Sequence, residues 1–257
     1  MAVLYLAHGY GFNHYYDVIL GERPLPPSLA EGFSLRAGLW VSIVLLVAAV
    51  GLALLLSPLA AAMVVAGGAV SLAYSASVPR LKNNSILNPL LNAVGFGLLF
   101  LVGFFANKGY QPNAAILFGF IALGVIPAQI LHLMSHMPGE RHWQLSLGTS
   151  VSLFYVSHGI WLGYAALTAL LWYRAMVVLV AVTMLYSLSQ LVITVTTARG
   201  WVPTVAAATI IRRRLRPVHV VFGTVLVVLF CWPSPAVPTA PPEATVPHHL
   251  EAAPMSR

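Results

Sequence analysis

Residues 37–57, AGLWVSIVLLVAAVGLALLLS, and residues 59–77, LAAAMVVAGGAVSLAYSAS, contain not one charged side chain. Each is close to the length a helix needs to cross a bilayer, about 20 residues for ~30 Å of hydrocarbon. Blocks of the same kind occupy 88–106, 114–134, 149–172, 175–197 and 218–232. Backbone amides and carbonyls in lipid must be paired internally, so blocks of this length read as helices; barrel strands would be half as long and would alternate. Residues 1–16, MAVLYLAHGYGFNHYY, form a shorter apolar piece with a polar end. They lack the basic start and small-residue cleavage site of a signal peptide. The expectation is the inner half or more of a helix whose natural start is missing. The fold class that follows is all-α: a polytopic membrane bundle of about eight transmembrane helices over residues 1–232.

Composition agrees. The chain has 257 residues, 59% hydrophobic and 7% charged, with a mean hydropathy of +0.86. A soluble domain is about a quarter charged, so this chain cannot coat a water-facing surface with its own polar groups. That excludes a soluble domain, a disordered chain and a nucleic-acid module. The lone cysteine, Cys231, excludes an internal disulfide and a cysteine-based metal cluster. From Pro233 the tail is rich in proline and alanine and is expected to be disordered.

The net charge of +7 is explained by where the basic residues fall. If the loop at 17–36 is cytoplasmic, alternation puts 78–87, 135–148 and 198–217 on the same side. Those loops hold Arg23, Arg36, Arg80, Lys82, Arg141, Arg199, Arg212, Arg213, Arg214 and Arg216, whereas Lys108, Arg174 and Arg257 fall opposite. Lysine and arginine mark the cytoplasmic side. The Arg212–Arg216 cluster then reads as an orientation signal and a lipid-headgroup contact.

Three loops on the basic side carry the unusual polar residues. In the first, GFNHYYDVILGERPLPP, Asn13 and Asp17 are four apart and share one helix face; Asp17 is the only aspartate in the chain. The second, AYSASVPRLKNNSILNPLLN, sets Tyr74, Arg80 and Lys82 near the membrane surface. In the third, ILHLMSHMPGERHW, His132 and His136 are again four apart, ahead of Glu140 and Arg141. The pair His132/His136 has the spacing of two zinc ligands on one helix, and His14 would complete a three-histidine site if the loops met. A metalloprotease would need glutamate at position 133, which is Leu133. Within a span, His158 is costly unless it faces a polar interior, and is expected to hydrogen-bond across helices, as are Gln129 and Gln190.

The order of these loops resembles the UbiA-type prenyltransferase superfamily. Asn13-His14-Tyr15-Tyr16-Asp17 followed by Arg23-Pro24-Leu25-Pro26 is similar to that family's first aspartate-rich motif. Tyr74-Ser75 through Pro79-Arg80-Leu81-Lys82 is similar to its Tyr-Ser-x-Pro…Arg-Leu-Lys stretch. His136-Met-Pro-Gly-Glu140-Arg141 lies where the family has Asp-x-x-x-Asp-Arg. The resemblance implies a helix bundle around a central cavity, with isoprenoid diphosphate as donor and a hydrophobic acceptor as partner. It implies Mg²⁺ held by Asn13, Asp17, Glu140 and His136, with Asp17 as the catalytic residue. Arg23, Tyr74, Arg80 and Lys82 are then the diphosphate-binding residues. The motifs are degenerate: acids expected at 14, 17 and 21 are His14, Asp17 and Gly21, with Glu22 one step away. Three readings follow: a divergent prenyltransferase; a catalytically inactive relative that binds isoprenoid lipid or serves as a scaffold; or a zinc site on the histidines.

Overall fold

The computed structural model describes residues 1–22, 34–78, 80–108, 113–135, 145–171, 173–199 and 203–231. Eight α-helices run through them: α1 (Ala2–Ile19), α2 (Leu35–Leu56), α3 (Pro58–Ser75), α4 (Leu87–Lys108), α5 (Asn113–Met134), α6 (Leu147–Leu171), α7 (Tyr173–Ala198) and α8 (Val205–Cys231). A single 3₁₀ turn, Leu81–Asn83, lies between α3 and α4. No strand occurs among the described residues.

Among the described residues, five helical stretches are long and apolar enough to cross a membrane: Leu35–Leu56, Pro58–Ser75, Leu87–Ala106, Ala114–Met134 and Ala181–Ala198. The remaining helices carry the polar groups that dilute their hydropathy, such as Asn13 and Asp17 on α1, His158 on α6 and the arginines on α8. The tail from Pro233, read as disordered, lies outside the described residues.

Local sequence explains the breaks. Ser57 ends α2 and caps α3: its hydroxyl accepts from Leu59 N–H at 3.2 Å, and Pro58 takes the first helical position, where no N–H is needed. The two helices then fold back through small residues. Ala49 and Ala53 of α2 and Ala60, Ala61 and Val64 of α3 share one buried cluster with Tyr5 of α1 and Leu101, Val102 and Phe105 of α4. Small side chains allow the backbone proximity that lipid, which gives apolar helices no reason to associate, does not otherwise drive. A second cluster joins Leu131 and Met134 of α5, Phe154 of α6 and Ile211 and Leu215 of α8. The bundle therefore has two lobes, joined where Phe100 and Phe104 of α4 meet Leu117 and Phe120 of α5 and Ala165 of α6.

One expectation is corrected. The segment 198–217 is not one loop: α8 starts at Val205 and carries Arg212, Arg213, Arg214 and Arg216 within it. Thr204 caps this helix, its hydroxyl accepting from Ala207 N–H at 3.2 Å. The reason is amphipathy: Ala208, Ile211 and Leu215 are buried on one face while Arg213, Arg214 and Arg216 are exposed. His158 hydrogen-bonds within its own helix, Nδ1 to the Phe154 carbonyl at 3.1 Å, and packs its ring on Phe154 with centroids 4.5 Å apart. The side chain of Gln190 on α7 also stands against this histidine, the cross-helix partner expected of it.

Gly67 on α3 marks the closest approach in the first lobe, because a Cβ there would overlap the Tyr5 ring. Gly67→Ala is expected to destabilise the bundle by about 1–3 kcal/mol, the usual range for an overpacked core. Gly51→Ala, where an added methyl meets nothing within 4 Å, should not. Unfolding midpoints of the detergent-solubilised variants compare the two.

Candidate functional site

Helix α1 delivers two carboxylates to one spot by an unusual route. It ends in a Schellman arrangement: Gly21, at φ +71°, donates its N–H to the Val18 carbonyl at 3.0 Å, and Glu22 N–H bonds the Asp17 carbonyl at 2.8 Å. The left-handed glycine turns the chain back, so Glu22 lies beside Asp17 although a continuous helix would have carried it about 100° further round. Position 22 thus brings a second carboxylate to the cations that face Asp17.

The cations come from the segment after α3. Lys82 Nζ pairs directly with Asp17 Oδ1, lies 3.1 Å from Glu22 Oε2 and reaches Asn13 Oδ1 at 3.4 Å. Arg80 pairs with Glu22, stands 3.7 Å from Asp17 Oδ1 and donates to the Ser75 carbonyl at 3.1 Å. Asp17, Arg80 and Lys82 are all buried. Charges removed from water are tolerated only when paired, and these four satisfy one another. Arg80 adopts φ 44°, ψ 57°, a left-handed conformation that costs a non-glycine residue on the order of 1–3 kcal/mol and tends to mark functional sites.

A frame of amides holds the cluster. Asn13 Nδ2 donates to Asp17 Oδ2 at 3.2 Å, and Ser75 Oγ donates to Asn13 Oδ1 at 3.2 Å. Asn88 Nδ2 grips the Lys82 carbonyl at 2.9 Å, its Oδ1 accepts from Tyr74 OH at 3.4 Å, and Asn92 Nδ2 reaches the same Oδ1 at 3.1 Å. Asn84 caps the start of α4, accepting from Ile86 and Leu87 N–H at 2.9 and 3.0 Å.

The cluster opens into a cavity of about 610 Å³ lined by α1, α3, α4 and α5. Its charged mouth holds Asp17, Glu22 and Lys82; farther in, the lining turns to Leu6, Val70, Leu91, Phe96 and Leu99. Gln129 and His132 of α5 and His14 of α1 also face it.

Of the residues singled out in the sequence, Asn13, Asp17, Tyr74, Arg80 and Lys82 converge here, Tyr74 through Asn88 rather than through the charges. Arg23, His136 and Glu140 lie outside the described residues. No three His, Cys, Asp or Glu side chains gather as a metal site among the described residues. The oxygens of Asn13, Asp17 and Glu22 around Lys82 Nζ nonetheless make a hard donor set of the kind Mg²⁺ takes, and the tethered ammonium stands among them. Sequence reading missed Ser75, Asn88 and Asn92 as site residues. The asparagines left a signal: two carboxamides one turn apart in an otherwise apolar span.

Charged, amide and apolar side chains thus share one cavity within an apolar helix bundle. A family model described as the UbiA prenyltransferase family matches residues 1–214. The chain belongs to this family, and is an integral membrane protein of a kind built around prenyl transfer. No curated protein and no solved structure matches it.

The ion cluster makes a clear stability prediction. Asp17→Ala leaves buried cations under-balanced and should cost about 3–5 kcal/mol, whereas pairing Asp17→Asn with Lys82→Met should recover most of the loss. Chemical denaturation of the singles and the double forms the cycle that measures it.

Proposed function

We propose that this chain transfers a prenyl group from an isoprenoid diphosphate to a lipophilic acceptor. The observation that carries the reading is the junction of opposites: Asp17, Glu22 and Lys82, backed by Arg80, border one end of a cavity that also carries an apolar stretch of wall. The diphosphate head belongs at the charged end, with Arg80 and Lys82 turned toward its oxygens and Arg23, the residue after Glu22 in sequence, as a further phosphate ligand. The chain lies along Leu6, Leu91, Phe96 and Leu99.

Ionisation breaks the allylic carbon–oxygen bond; the electron pair leaves with the diphosphate, and the allylic cation is captured by the acceptor, which gives up a proton. A Mg²⁺ ion held by Asn13, Asp17 and Glu22, with Glu140 and His136 as further ligands, would neutralise charge on the departing diphosphate. Arg80 and Lys82 stabilise the same developing charge, and a dry cavity strengthens that interaction and shields the cation from water. Tyr74, Asn88 and Asn92 offer hydrogen bonds that orient a polar group on the acceptor. Positive residues around this mouth argue that it faces the cytoplasm. Zinc on His132 and His136 is the minor alternative: His14 and His132 face the cavity, and His136 lies outside the described residues.

One observation favours a second reading, an inactive relative that binds isoprenoid lipid. The two cations are matched by two acids, so this cluster attracts an anion only if those pairs open. Purified protein incubated with labelled prenyl diphosphates, with and without Mg²⁺, separates the two. Transfer predicts Mg²⁺-dependent release of diphosphate that falls by roughly 100-fold or more in Asp17→Ala, as loss of a key electrostatic group does. Binding without release, indifferent to a chelator, establishes the second reading instead.

A further inference from the structure

Four residues of α1 that line the cavity are spaced by four: Tyr5, Gly9, Asn13 and Asp17. Such a row forms one ridge along a helix. The wall therefore offers, in order, an aromatic ring, a gap, a carboxamide and a carboxylate. On α4 the facing wall repeats the gradient, from Asn88 and Asn92 to Gly95, Phe96 and Leu99. Twelve residues separate Tyr5 from Asp17, about 18 Å at ~1.5 Å per residue.

Tyr5 closes the apolar end. It is 8% exposed and belongs to the cluster that holds Val64, Leu101 and Phe105. Its ring lies on Gly67 of α3, and its hydroxyl is 3.9 Å from where a Cβ on Gly95 of α4 would be. It thus spans from α1 to both opposing helices. Gly9, midway, is different: a Cβ there would meet only Ser71 Oγ, at 3.9 Å, so the passage is open because α1 has no side chain at that point.

We propose that the Tyr5 ring is the stop that sets the prenyl chain length at about four isoprene units, and that Gly9 keeps the passage to it open. The inference rests on the cavity being a prenyl diphosphate site and adds the length of its substrate. Each unit contributes four skeletal bonds. Three extended main-chain bonds span ~3.3–3.6 Å, so a unit spans about 4.6 Å and ~18 Å holds about four. The flank with Tyr10, 71% exposed, and Phe96, 37% exposed, faces lipid and is the way in. A longer chain must either press on Tyr5 or bend back out through that flank.

The test uses the full chain in lipid nanodiscs and non-ionising thiolodiphosphates with geranyl, farnesyl, geranylgeranyl and hexaprenyl chains. Geranylgeranyl should bind tightest and hexaprenyl at least roughly tenfold more weakly, about 1.4 kcal/mol. Tyr5→Ala should erase that tenfold penalty. Gly9→Leu, whose Cβ would meet only Ser71 Oγ at 3.9 Å, should shift the geranyl-to-geranylgeranyl affinity ratio about tenfold toward geranyl. Equal binding of hexaprenyl and geranylgeranyl by the unaltered protein, or an unchanged ratio in Gly9→Leu, overturns the stop and leaves the site standing. If no chain length binds, with or without Mg²⁺, the prenyl diphosphate reading itself fails.

Discussion

The ammonium of Lys82, enclosed by oxygens of Asn13, Asp17 and Glu22, is the contact on which the first lobe depends. Apolar helices in lipid gain little from touching one another, whereas a charge in the same surroundings is intolerable without its partner. The pairing therefore does for α1 what burial does for a soluble helix: it fixes rotation and depth. The backbone around it is bent to suit. Arg80 accepts a left-handed conformation, Gly21 turns the chain back, and Asn88 holds the Lys82 carbonyl. A buried ion cluster is weak evidence for stability in itself. Its value here lies in specifying one arrangement of α1 against the segment that follows α3.

The helices were legible because the hydrocarbon imposes a length that no other architecture explains. The two apolar runs divided by Ser57–Pro58 could hardly be read otherwise, and the structure divides them there. Where charge and apolar faces alternate, the reading was poorer. The arginines of α8 looked like loop, yet Ile211 and Leu215 at a spacing of four were the mark of a helix with one buried face.

The site was legible as residue types and less so as geometry. Asn13, Asp17, Arg80 and Lys82 were found because charges are scarce in this chain and each stands out. Glu22 stood one step from the expected position; the glycine before it turns the chain, and only a dihedral shows that the turn brings it beside Asp17. Asn88 and Asn92 were passed over because asparagine near a membrane surface has many ordinary uses. Their task, Asn88 gripping the Lys82 carbonyl and Asn92 bracing Asn88, depends on a fold in three dimensions rather than on spacing along the chain.

The helix cap at Gly21 has one further consequence. Since the backbone of Glu22 is held only by the last turn of α1, terminal fraying, the least costly local opening in any helix, pulls on the second acid, with its pairs to Arg80 and Lys82 as the remaining restraint. The charge balance of the mouth can therefore change while every spanning segment stays in register. Loss of function on warming would then precede melting, and the gap between the two temperatures would report how firmly one glycine turn is latched.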